Sequence, residues 1–244
     1  MMNYKIIIIL YSLIFSLTAE CKEYLYQWNY ENQPYNVHIN IQDSDVQDCI
    51  KKVDQWQKEA GTFSKGSRNY LRYLRYYPCG SYAAEIAEQL MLIGKENDFD
   101  RYQMGNFVTA FVNSFPYILD KDHQKINHYA QTPFETLIYK KGDCEDHAVM
   151  LAYFFSLFCY DTVMIVTNNA DSYHLALGVA EDSVNDQYWM SRKFTYNNKK
   201  YLYCEATPCA DGPCNSKIGE CSPSMAKMEI IEYFDVPLNC KFKY

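Results

Sequence analysis

The chain has 244 residues, 48% of them hydrophobic and 22% charged, with a formal net charge of −7. That is the composition of an ordinary globular protein, long enough for one large domain or two small ones. The negative balance excludes a general nucleic-acid binder, which needs a basic surface to neutralise phosphate.

Lys5 is the only charge before Glu20, and residues 6–17 form an apolar run. The run is shorter than the roughly 20 residues that span a bilayer. It has the size and flanks of a signal-peptide core, with cleavage expected after Ala19. An uncleaved membrane anchor is the alternative; Glu20, directly before Cys21, is a poor residue for lipoprotein processing. Residues 1–19 are therefore read as a signal peptide and the mature protein as secreted or cell-envelope.

Alternation over residues 24–30 and 35–41, with Gln33-Pro34 at the expected turn, predicts a β-hairpin. Residues 45–58 read as a helix with Val46, Ile50, Val53 and Trp56 on one side, capped by Ser44 or Asp45. Helices dominate from 70 to 115. One covers 82–92 and ends near Gly94; the next covers 100–115, carries Phe107, Phe111 and Phe115 on one stripe, and is stopped by Pro116. Residues 120–141 are polar and read as irregular. Strand signals follow at 162–167, 173–180 and 200–206, with Asn197-Asn198 as a turn. No internal repeat or Pro/Gly-rich linker divides the chain, which reads as one domain (69–244) behind a hairpin-and-helix extension (20–68).

The chemistry centres on Gly142-Asp143-Cys144-Glu145-Asp146, where a helical pattern begins. Ala148, Leu151, Ala152 and Phe155 share the face of Cys144, and the two alanines let that face lie close to a sheet. A thiol is a useful nucleophile only as thiolate. Unpaired N–H groups and the positive end of the helix dipole favour that form, while Asp143, Glu145 and Asp146 oppose it. A histidine partner is needed to settle the balance. His174, in Tyr173-His174-Leu175-Ala176-Leu177-Gly178, falls on the strand face with small neighbours. Glu205, in Tyr203-Cys204-Glu205-Ala206-Thr207, is a carboxylate that must be paired if it is buried, and a histidine N–H suits it. His147, beside the motif, is read as a poor base candidate and is expected to face outward. The acids around Cys144 could also be a calcium site, although acids at a helix start are more often caps.

Export makes disulfides the expected state of paired cysteines. With Cys144 kept free, nine of the ten remain, and Cys159, at the end of an apolar helix, is the easiest second free thiol. Cys21, Cys49, Cys79, Cys204, Cys209, Cys214, Cys221 and Cys240 could then pair in several ways. A zinc site from Cys204, Cys209, Cys214 and Cys221 is the weaker alternative, since it lacks C-x2-C pairs.

The run Pro133-Phe134-Glu135-Thr136-Leu137 … Gly142-Asp143-Cys144-Glu145-Asp146 resembles the nucleophile segment of the transglutaminase-like superfamily, especially its microbial members. Phe111-Val112-Asn113-Ser114-Phe115-Pro116-Tyr117 … Asp120 resembles their preceding helix and turn. The segments around His174 and Glu205, and Ile218-Gly219-Glu220, resemble later motifs in the same order. The resemblance covers about residues 82–222. It implies an α+β, papain-like fold, a nucleophile helix packed on an antiparallel sheet. It also implies acyl transfer through a thioester, with Cys144 as nucleophile, His174 as general base and acid, and Glu205 as the orienting acid. Two departures stand out: glutamate replaces the commoner aspartate, and no tryptophan neighbours the cysteine.

The expectation is an exported cysteine hydrolase or acyltransferase acting on a peptide or protein amide, with no cofactor or metal and no nucleic-acid partner. Contact with a membrane is expected only through an uncleaved leader. The alternative is a non-catalytic exported module that keeps this fold and binds protein or glycan.

Overall fold

The computed structural model describes residues 21–59, 79–123, 129–169, 172–184, 192–208, 217–220 and 229–242. The expected signal peptide and Cys209, Cys214 and Cys221 lie outside the described residues. The protein is mixed α+β: a two-stranded hairpin, a layer of helices, and a five-stranded antiparallel sheet in the order β5-β6-β4-β3-β7.

The hairpin pairs β1 (Cys21–Tyr30) with β2 (Gln33–Gln42) in unbroken register. Its turn is Glu31-Asn32, both at positive φ (48° and 64°), which matches the twist of a two-residue hairpin. The turn expected at Gln33-Pro34 is therefore displaced by two residues. Pro34 sits in β2 opposite Asn29, and a two-stranded ribbon has only edge strands, where a missing N–H is tolerated. The inner face carries Tyr24, Tyr26, Trp28, Tyr30, Val37, Ile39 and Ile41, all buried. Trp28 meets Phe107 and Phe111 at ring distances of 5.2 and 5.0 Å, so the hairpin shares one apolar core with the helices.

α1 (Asp43–Glu59) and α2 (Gly80–Glu96) are tied by the Cys49–Cys79 disulfide. α3 (Arg101–Asn113) starts on a capping box in which Asp100 and Gln103 each accept the other's backbone N–H, at 2.8 and 2.9 Å. Its Phe107 and Phe111 are fully buried, between the hairpin and the helix that follows Cys144. After the short α4 (Asp120–His123) comes α5 (Pro133–Tyr139), in a segment expected to be irregular. Thr132 caps it reciprocally with Glu135 and Pro133 fills the first turn, so the start signal was present in the sequence.

α6 (Cys144–Leu157) is buried along nearly its whole length, because α2, α3 and α5 pack on one side and β3 and β4 on the other. Arg101 fixes its far end: the guanidinium donates to Phe158 O (2.9 Å) and Cys159 O (3.1 Å), a cation at a helix C-terminus. β3 (Thr162–Asn169) and β4 (Ser172–Ala180) form the centre of the sheet. The short α7 (Glu181–Val184) leads on to β5 (Lys193–Tyr196), which is joined to β6 (Lys199–Cys204) through Asn197-Asn198, both at positive φ as the expected turn requires. β7 (Glu229–Asp235) covers the free edge of β3. β5 and β7 were not anticipated; β5 is four residues long and β7 has no clean alternation.

Two cysteine assignments are corrected. Cys159, expected to be free, is bonded to Cys240. It follows the end of α6 in a left-handed conformation (φ 60°), and the tail docks beside it through Asn239 N–H to Ser156 O (3.1 Å) and Lys241 N–H to Leu157 O (3.0 Å). Cys204, expected to pair or to bind zinc, is a buried free thiol 3.7 Å from Thr109 Oγ1, because its face of β6 lies under α3. Cys21 is exposed and unpaired.

Candidate active site

The start of α6 is built by short-range bonds. The Asp143 side chain accepts the Glu145 N–H (3.2 Å), and the Asp146 side chain accepts the Asp143 N–H (3.0 Å). Asp146 also accepts the Gln131 backbone N–H (2.6 Å) and side-chain amide (2.9 Å), which ties the loop before α5 to the helix. Position 142 must be glycine: a Cβ there would lie 2.5 Å from Asp146 Cβ. The Pro116–Ile118 strip runs parallel beside it, with Ile118 N–H to Gly142 O at 2.8 Å and Gly142 N–H to Pro116 O at 3.2 Å.

Cys144 sits on this platform, buried with only a sliver exposed. Its Sγ donates to Glu145 Oε2 at 3.3 Å, and the Leu175 backbone N–H is aimed at the sulfur. Burial, then the charges of Glu145 and Asp143, push the thiol pKa well up, with the Leu175 N–H opposing them. The opposition of Asp143 and Glu145 to the thiolate, expected from the sequence, is thus present, and burial adds to it. Desolvation and the adjacent acids favour the neutral thiol. The Glu145→Gln variant removes a negative charge from the sulfur's side. Its thiol pKa is expected to fall, so that iodoacetamide alkylation of Cys144 speeds up several-fold at neutral pH and its pH midpoint moves down. An unmoved midpoint would show that Glu145 does not control the sulfur.

His174 lies on β4 immediately before Leu175, so the strand that carries it crosses over the start of α6. Its Nε2 is 3.0 Å from both oxygens of Glu205, which leaves Nδ1 as the nitrogen available to a reacting group. Glu205 lies one residue past the end of β6. It accepts the Tyr203 hydroxyl (2.7 Å) and both the N–H and the hydroxyl of Thr207 (3.0 and 2.7 Å). Burial would raise its pKa, but the charge of His174 and these hydrogen bonds overcome that and hold the carboxylate below its usual range. The structure therefore brings His174 and Glu205 into direct contact and places Cys144 against the residue next to His174. In this state the thiol proton is directed to Glu145.

Other residues differ from expectation or went unrecognised. His147, expected to face outward, is fully buried, with its ring nitrogens 2.7 Å from Asp143 O and 3.1 Å from Phe115 O. Burial pulls its pKa down against those two carbonyls. It joins the nucleophile loop to the end of α3, and a helix buried on several sides has no outward face to offer it. Tyr203 and Thr207, which support Glu205, had no sequence signal beyond their nearness to it. Acidic oxygens of Asp120, Asp143 and Asp146 lie within 4.8 Å of one another, and Asp143 is pushed up to about 10 by burial and then by Glu145, Asp146 and Asp120.

No protein-family model matches the chain, and no curated protein matches it. A solved structure described as "Crystal structure of a TGase" is similar at 13% sequence identity and a TM-score of 0.34, over 76% of this chain and 49% of that one. The chain thus spans about half the length of that protein. What stands from fold and site together is a mixed α+β protein with a buried helix-start cysteine facing the Leu175 N–H, and a His174–Glu205 pair whose histidine precedes Leu175 in the same strand.

Proposed function

We propose that the protein is an exported, thiol-dependent acyl-transfer enzyme of transglutaminase-like type that acts on amides in peptides or proteins. The observation that carries this reading is the His174–Glu205 contact: a charged, four-donor carboxylate holds Nε2, on the strand whose next N–H points at Cys144 Sγ. A structural histidine has no need of so elaborate a partner.

In this reading substrate binding displaces the Cys144 proton from Glu145, and His174 Nδ1 accepts it as Sγ attacks the carbonyl carbon. The C–S bond forms and the carbonyl π pair moves onto oxygen. Within the first turn of α6, Asp143 takes the Glu145 N–H and its backbone carbonyl the His147 N–H, while the Cys144 N–H remains to face the developing oxyanion. The tetrahedral adduct collapses, the C–N bond breaks, and His174 returns its proton to the leaving amine. Water, deprotonated by the same ring, then cleaves the thioester and regenerates the thiol. Glu205 orients the ring and stabilises its charged form throughout. Hydrolysis is favoured over cross-linking, because transfer to an amine needs a site that disfavours water, whereas Tyr117 and Tyr173 beside the site are 41% and 65% exposed.

Residues 1–19 are proposed as the leader, 20–68 as an extension and 69–244 as the catalytic domain. The two disulfides among the described residues suit an oxidising compartment, and no described helix is long and apolar enough to cross a membrane. The resting S–H to Glu145 contact is the observation that favours the second reading, a binding module without catalysis. His174→Ala separates the two. Release of p-nitrophenolate from p-nitrophenyl acetate is expected to fall by roughly 10²–10⁴-fold, the range of general acid–base catalysis. Turnover equal to wild type would leave the non-catalytic reading standing.

A further inference from the structure

We propose that Glu145 reads the free N-terminus of the substrate: its carboxylate takes the α-ammonium of the residue whose carbonyl Cys144 attacks, so that the enzyme acts on the first peptide bond of a chain. The inference rests on the acyl-transfer reading above and names the substrate class of that same site.

Three observations support it. Glu145 Oε2 lies 3.3 Å from Cys144 Sγ, and the thiol is the only described hydrogen-bond partner of that side chain. The neighbouring acids are committed elsewhere: Asp146 accepts the Asp143 N–H and the backbone and side-chain N–H groups of Gln131, and Asp143 accepts the Glu145 N–H. Second, among the described residues no Lys, Arg or His pairs with Glu145, although it is half-buried beside the nucleophile. A half-buried carboxylate without a countercharge offers a cation a charge-assisted hydrogen bond. Third, the distance selects the cation. In the adduct the carbonyl carbon is bonded to Sγ, and covalent geometry puts its α-nitrogen about 2.5 Å from that carbon. An acceptor 3.3 Å from the sulfur is within hydrogen-bond reach of that nitrogen. An extended lysine side chain instead carries its ammonium away from the sulfur, at the end of a four-carbon stem.

The same contact accounts for release of the resting thiol. The ammonium replaces the S–H as the donor to Glu145 and keeps its own three protons. The S–H proton passes to His174 Nδ1 as the C–S bond forms. A cation beside the sulfur stabilises the developing thiolate and offsets the acids of the loop. A blocked or internal residue brings no charge to this point, and the thiol stays bonded to Glu145. Hydrolysis of the thioester then frees a single amino acid.

The test uses three esters on wild type and Glu145→Gln: alanine p-nitrophenyl ester, its N-acetyl form and Nα-acetyl-lysine p-nitrophenyl ester. Release of p-nitrophenolate is followed at about pH 6.5, where the α-amine is protonated, with EDTA present so that no metal ion occupies the carboxylate. The acyl group is located on Cys144 by mass spectrometry. Each rate is divided by that with p-nitrophenyl acetate, which cancels the change in sulfur acidity that the variant brings. The preference for free over acetylated alanine ester, corrected for that of N-acetylcysteine in solution, is expected to be roughly 10–10²-fold in wild type and less than about threefold in Glu145→Gln. Glu145→Asp, with the charge on a shorter arm, is expected to retain part of it. An equal preference in wild type and Glu145→Gln would overturn the role. So would a preference that follows the acetyl-lysine ester, which would place the cation on a side chain. If p-nitrophenyl acetate acylates wild-type Cys144 but the free alanine ester has no advantage, N-terminal recognition falls and the acyl-transfer reading stands. If no ester acylates a Cys144 that iodoacetamide alkylates, both fall.

Discussion

The Cys144→Ala protein is expected to fold as the wild type does and to lose p-nitrophenyl acetate turnover by about 10³-fold or more, the scale on which removal of a nucleophile acts. The two halves of the result have separate causes. Sγ supplies the bond-forming electron pair, and no other described thiol can replace it: Cys204 is buried under α3 beside Thr109, and Cys21 is exposed on the hairpin. The fold depends little on the sulfur. The caps, the Gly142 bridge and the His147 contacts are made by other groups, so the loss is one small atom and a desolvated S–H among acids. A stability change within about 1 kcal/mol is expected by thermal melting. Full turnover in the variant, or a protein that no longer folds, would refute this division of roles.

Glu205→Gln carries the second-largest effect. The side chain keeps its size, but the amide brings donors to a place where His174, Tyr203 and Thr207 already donate. His174 loses both its orienting carboxylate and the charge that stabilises its protonated form. Turnover is expected to fall by roughly 10²–10⁴-fold, as when the third member of such a triad is made neutral, and stability by about 1–3 kcal/mol from mismatched buried partners. The pH dependence has a definite sign. The folded protein holds the Glu205 pKa below its ordinary value, so the carboxylate's contribution is present above the unfolded pKa and is lost as pH falls through the folded one. The stability gap between wild type and Glu205→Gln is therefore expected to shrink as pH drops below about 4. A gap that stays constant across acid pH would mean that Glu205 is not stabilised as the anion.

The helix start at Cys144 and the pairing of His174 with Glu205 were legible in the sequence, for identifiable reasons. Cys144 stands at a capped helix start, and both the cap and the alanine-lined face are local patterns. His174 falls on an alternating strand, but the face expected to accept the helix is the wrong one: Leu175, Leu177 and Val179 share the core with α6, while Ala176 and Ala180, on the His174 side, pack with Tyr201 and Tyr203. Glu205 is a carboxylate next to a buried strand end, where the need for a partner is itself a signal. The Cys204 side chain, as strand alternation implies, points away from the site, toward Thr109.

What stayed hidden depends on contacts between distant segments. The acids around Cys144 were legible, but the contact of its thiol with Glu145 and the burial that adds to their effect were not, because no local pattern measures how deeply the helix start is covered. His147 was expected to face outward, but α6 is enclosed on several sides and the ring reaches the end of α3. The exchange of roles between Cys159 and Cys204 has the same origin. Strand packing decides which thiol is covered, and the docking of the tail decides which meets a partner. α5 was missed for a different reason: Thr132-Pro133-Phe134-Glu135 is a complete start signal, but a polar stretch before it masked a short helix.

The central claim is that Cys144 forms a covalent acyl intermediate, and the most direct measurement is to trap it. Wild-type protein is mixed briefly with p-nitrophenyl acetate, quenched in acid and mapped by peptide mass spectrometry, with exposed Cys21 as an ordinary thiol within the same molecule. The account predicts an acetyl thioester on Cys144 that forms faster than any adduct on Cys21 and disappears as water turns it over. Acetylation of Cys21 with Cys144 left bare would contradict it.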